Sequence, residues 1–199
     1  DSFSYGNEAV ETVSYDPEGA KKLLEESGWK DTDGDGYADK DGQKLTIDWL
    51  TYPTRLEQPK LAEYAQATLK EIGIDVVVNN TSDHMTYAAD GNFDVYVSST
   101  TTAPTGDPEY FFTSTVVGPK NYGKYENKEV TALTEKLHQA FEPEERAKLA
   151  TELQQKILDD DGFFFVSHLN MGIVTKSNVK GMAAHPCDYY EITADLDVE

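Results

Sequence analysis

The residues best spaced for chemistry are the aspartates of DTDGDGYADKDG, residues 31–42. A twelve-residue calcium loop places oxygen ligands at positions 1, 3, 5, 7 and 9, glycine at 6 and a bidentate glutamate at 12. Asp31, Asp33, Asp35, Tyr37 (through its carbonyl) and Asp39 stand at the five ligand positions, with Gly36 at the sixth. Position 12 is Gly42, and Asp41 comes one residue early. The same residues suit a metal-free loop, in which aspartate side chains accept from nearby N–H groups and glycine takes left-handed backbone. Both readings stay open on the sequence, and a calcium ion here would be structural.

Other reactive side chains are sparse. The four histidines, His84, His138, His168 and His185, stand in no HExxH or CxxH arrangement. His138 lies beside the apolar stripe of a helix, and His84 is expected exposed at a helix start. His168 follows an aromatic run and is a candidate ligand contact. His185 stands near Cys187, the sole cysteine, so no internal disulfide is possible. No GxSxG, Walker or GxGxxG pattern occurs, and no enzyme is expected. The net charge of -20 repels phosphate backbones and disfavours nucleic-acid binding. No stretch approaches the 18 or so apolar residues that a membrane span needs.

The elements that must position these residues alternate along the first half. Asp16 and Pro17 start a helix whose stripe is Ala20, Leu23 and Leu24, and Gly28 stops it. KLTIDWLTY alternates as a strand. Leu61, Ala65, Leu69 and Ile72 mark a second helix, closed by Gly73. IDVVVNN is a strand, SDHMTYAADG a short helix and FDVYVSSTT a third strand. This rhythm predicts an α/β fold, with a mixed sheet flanked by helices. The segment from Thr102 to Tyr125 has no clean period and reads as a long loop. Two helices follow as a hairpin, one carrying Val130, Leu133, Leu137 and Phe141, the next opened by Pro143. GFFFVSHLNMGIVTK reads as buried extended chain, and the remainder as coil with a strand at residues 190–193.

Several of these segments together resemble one family. YDPEGAKKLLEESGWKDTDGDGYADKDGQKLTIDWLTY is similar to a stretch of the dipeptide-, oligopeptide- and nickel-binding (family 5) substrate-binding proteins of ABC transporters. LAEYAQATLKEIGIDVVV, GNFDVYVSSTTTAPTGDPEYFF with its Asp107–Pro108 pair, and FFFVSHLNMGIVTKSNVKG with Val179, Lys180 and Gly181 follow in the family's order. The resemblance spans nearly all of residues 13–196. It implies one lobe of a two-lobed, type II periplasmic-binding-protein fold. Residues 15–182 would form the C-terminal lobe, 1–14 an irregular lead and 183–199 a tail returning to an N-terminal lobe of the longer protein. Exposed apolar surface is then expected where that lobe docks.

The function so implied is extracytoplasmic solute capture for ABC import, without bond chemistry. The protein would be periplasmic, or lipid-anchored at the outer face of the cytoplasmic membrane. Its partners would be the N-terminal lobe and the transporter's membrane subunits. The ligand would be a short peptide or a nickel or metallophore complex; APTGDP and the late YYEI tilt towards the latter. No cofactor is required. Cleft residues are expected after the strands, which nominates Thr100, Thr101, Asp107 and Tyr96, with Phe165 and His168 from the later segment. Asp107 is expected either to meet a ligand's amino end or to cap a helix starting at Pro108. The alternatives from other classes are a calcium-dependent structural or adhesion module around residues 31–42, and a hydrolase.

Overall fold

The computed structural model describes residues 9–100, 107–167, 169, 172–184 and 192–199. The chain divides into two compact units: residues 13–99, and residues 1–12 with 100–199.

The first unit is built on a parallel sheet. Helix α1 (Pro17–Glu26) starts as the sequence requires, with the Asp16 carboxylate accepting from the Gly19 N–H at 2.8 Å. Its stripe is only half used. Leu24 is partly covered, whereas Leu23 stays 65% exposed. A two-residue hairpin, β1 (Asp39–Lys40) and β2 (Gln43–Lys44), follows the aspartate loop. Strand β3 (Thr46–Thr51) is central, with β4 (Asp75–Asn80) and β5 (Val95–Tyr96) parallel on either side. Short as it is, β5 is extended at both ends, by Asp94 N–H to Asp48 and Val97 N–H to Leu50. Parallel neighbours need crossovers. These are α2 (Glu57–Lys70) and α3 (His84–Asp90), the latter ending on left-handed Gly91.

Register determines which face each side chain takes. Ile47, Trp49 and Thr51 stand opposite Val76, Val78 and Asn80. Val76 joins Gln66, Ala67 and Lys70 of α2 in lining one hollow. The face of β3 that carries Trp49 and Thr51 is therefore the face α2 covers. Asp48, Leu50, Val77 and Asn79 face the other way, lining a groove with Tyr87 of α3 and Phe93.

The second unit packs helices. Asn127 caps α5 (Lys128–Gln139), accepting from Glu129 and Val130, and Pro143 opens α6 (Pro143–Asp159). Val130, Leu133 and Leu137 meet Ala150, Leu153 and Ile157 in one core. The expected long loop is partly helical. Glu109–Phe111 form a short helix, α4, and Phe112–Val116 continue it as a π turn. Phe112 and Val116, four residues apart, enter the core. Phe141, placed in the α5 stripe by sequence, is 87% exposed, because α5 ends at Gln139 and Ala140 is extended.

The expectation of buried strands over residues 162–176 also fails. The described residues there pair with no strand, and Phe164 is 89% exposed. Phe163 alone packs on the core, against Phe111 and Tyr125. Strands β6 (Val179–Lys180) and β7 (Asp197–Val198) form a separate antiparallel pair where coil was expected. Of the strand expected at residues 190–193, residues 190 and 191 lie outside the described residues, and 192 and 193 are in no strand. The architecture is α/β: the first unit holds a parallel sheet flanked by helices, and each unit carries one short antiparallel ladder.

Candidate functional site

The aspartate loop is closed on itself. Asp31 accepts from the N–H groups of Gly34 at 2.7 Å and Gly36 at 3.0 Å. Asp33 accepts from Asp35, and Asp35 from Tyr37. Gly34 and Gly36 have φ of +83° and +89°, the left-handed backbone such turns need. Asp39 accepts from the Thr32 hydroxyl at 2.6 Å and its N–H at 2.8 Å; these bonds hold its carboxyl below the ordinary range. Asp39 also bridges to Lys30 through the backbone, which pins both loop ends. Carboxylate oxygens of Asp31, Asp33 and Asp39 lie within 4.8 Å of one another. Asp35, expected as a ligand, stands outside that group. Lys44 Nζ lies over the Tyr37 ring, 4.3 Å from its centroid.

A second arrangement gathers at the carboxyl edge of the parallel sheet, where ligands of open α/β sheets are held. Residues just beyond three strands meet there. Tyr52, after β3, stacks on His84, at the start of α3, with centroids 4.0 Å apart. His84 Nδ1 and the Tyr96 hydroxyl are 2.7 Å apart. Phe93 tilts against Tyr96. The Tyr52 hydroxyl accepts from the Ser99 N–H at 3.1 Å, and Gln58 Nε2 donates to Ser99 Oγ at 3.1 Å. Of this set, sequence reasoning nominated only Tyr96. His84 is half-buried rather than exposed, because the Tyr52 ring covers one face. The signal that pointed here was positional: Tyr52 follows β3, His84 opens the helix after β4, and Tyr96 ends β5.

The remaining candidates lie in the other unit. Thr100 is exposed, and Thr101 and His168 fall outside the described residues. Asp107 caps α4, accepting from the Glu109 N–H at 2.8 Å, as one of its two expectations held. The same carboxylate receives Arg146 Nη2 at 2.8 and 2.6 Å. Arg146 also reaches Glu109 at 3.1 Å, and Glu109 meets His138 at 2.5 Å. Burial lowers the pKa of Arg146, and its bonds to Glu109 and Asp107 outweigh that and raise it. Asp107 thus has its charge matched within the fold. Phe165 packs edge-on to Phe111 and stacks with Phe163.

A sheet with this topology and this carboxyl edge is one lobe of the type II periplasmic-binding-protein fold. Residues 1–123 match the family of bacterial extracellular solute-binding proteins, family 5 (middle), and the chain belongs to that family. It is 29% identical over 189 residues to the oligopeptide-binding protein AppA of Bacillus subtilis, covering 92% of this chain and 35% of AppA. It is 35% identical over 115 residues to the nickel-binding periplasmic protein of Escherichia coli, 57% of this chain and 22% of that one. The structure of Bacillus subtilis AppA in complex with a nonapeptide superposes with a TM-score of 0.78 at 28% identity, over 91% of this chain and 38% of that one. The chain thus spans about a third or less of the length of these relatives. The family's proteins are extracytoplasmic and bind solutes.

Proposed function

We propose that the chain is the C-terminal lobe, residues 15–182 with the 183–199 tail, of a solute receptor that delivers a short peptide or a nickel chelate to an ABC importer. The observation that carries this reading is the carboxyl edge of the sheet, where Tyr52, His84 and Tyr96 form one connected aromatic and hydrogen-bonding surface. Such a surface offers flat apolar area with a few placed polar groups, the usual make-up of a solute site. In this reading Tyr96 belongs to the solute-facing surface, and Thr100, Thr101, Asp107, Phe165 and His168 are further candidate contacts on the strength of the family resemblance. Apolar side chains such as Phe141, Phe164 and Val174, exposed here, are the kind of surface that a further lobe covers. Lobe closure around the solute, recognised by the transporter's membrane subunits, supplies the mechanism. A lipid anchor on the longer protein would hold it at the outer face of the membrane.

The relatives' names favour both solute classes, so the experiment must separate them. Native mass spectrometry of the longer protein, purified from its own medium, is expected to show a retained mass of a peptide or of a nickel complex. The Tyr52→Ala and Tyr96→Ala variants should lose it. Retention of nothing by the parent protein, or equal retention by both variants, would overturn this assignment. For the aspartate loop, the hydrogen bonds within it suit a metal-free turn, and a calcium titration followed by thermal melting separates that from the calcium reading.

A further inference from the structure

We draw no further inference here: the strongest candidate, the open groove lined by Asp48, Leu50, Val77, Tyr87, Phe93 and Asp94 on the sheet face turned away from α2, carries none, because nothing in the structure shows what covers it.

Discussion

Arg146 offers the sharpest test of how the second unit is held together. Its Nη1 donates to the carbonyls of Leu137 at 2.9 Å and Ala140 at 2.7 Å, which are left open at the end of α5. Its Nη2 serves Asp107 and Glu109, which cap and begin α4. One guanidinium thus fastens the start of α6 to both neighbouring helices. Arg146→Met keeps most of the apolar stem and removes every donor. Breaking one side of a buried ion pair costs about 3–5 kcal/mol. The Asp107 and Glu109 side chains are 34% and 21% exposed, so water recovers part of that. Two carbonyls losing their donor add back about 1 kcal/mol each. The expected net loss is about 2–4 kcal/mol, read as a lower urea midpoint at unchanged slope. Asp107→Asn in both backgrounds closes a double-mutant cycle, whose coupling should exceed about 1 kcal/mol. A loss below that figure for Arg146→Met, or a coupling near zero, would refute the idea that this arginine ties the three helices together. Arg146→Lys should recover little, since an ammonium cannot span carbonyls and carboxylates at once.

Four further predictions concern other parts of the molecule. Asp31→Ala removes the acceptor for two loop N–H groups and is expected to lower stability by about 1 kcal/mol, while Asp31→Asn, which keeps an acceptor, costs less; millimolar calcium should leave the melting temperature of the parent chain unchanged, and a rise of several degrees would reinstate the ion. Asp160 accepts from the Tyr125 hydroxyl at 2.5 Å and from Asn127 at 2.6 Å, and those bonds lower its pKa in the fold. Its contribution is therefore complete above the unfolded carboxyl value and lost as pH falls through the lower folded one, so Asp160→Asn should flatten the acid limb of a stability–pH curve; an unaltered limb would count against it. Tyr125 behaves in the opposite sense, since burial and then the bond to Asp160 raise its pKa, and stability should fall as pH climbs past the ordinary tyrosine value. Tyr52→Phe deletes the acceptor for the partly buried Ser99 N–H and is expected to cost about 1 kcal/mol by thermal melting, with the Gln58–Ser99 bond loosened as seen in amide exchange.

Much of the first unit was legible along the chain because its signals are local. Asp16 before Pro17, the alternation of TIDWLT, and Gly91 after a short helix each act within a few residues, and each element stands where those signals put it. The aspartate loop likewise followed from its own composition, since the partners of Asp31, Asp33 and Asp35 lie no more than five residues away. Failures came where a period broke or a partner was distant. The short helical stretch at residues 109–116 was missed because two core contacts four residues apart are too few to mark a period. The aromatic run at 162–166 is as apolar as any core strand, but apolarity does not supply a neighbouring strand to pair with.

The candidate site shows the same division. Composition and spacing by themselves determined an α/β chain, acidic and without recognisable catalytic motifs; that residues after its strands face a solute was what the family resemblance implied. They could not join Tyr52 to His84, or Gln58 to Ser99 across 41 positions, because those contacts exist only once β3, β4 and β5 lie side by side. Nor could they tell that Asp107 is answered by Arg146, 39 residues on. Which polar groups are satisfied and which are left waiting is a property of packing. Burial removes water as the default partner, and only the folded arrangement decides what replaces it.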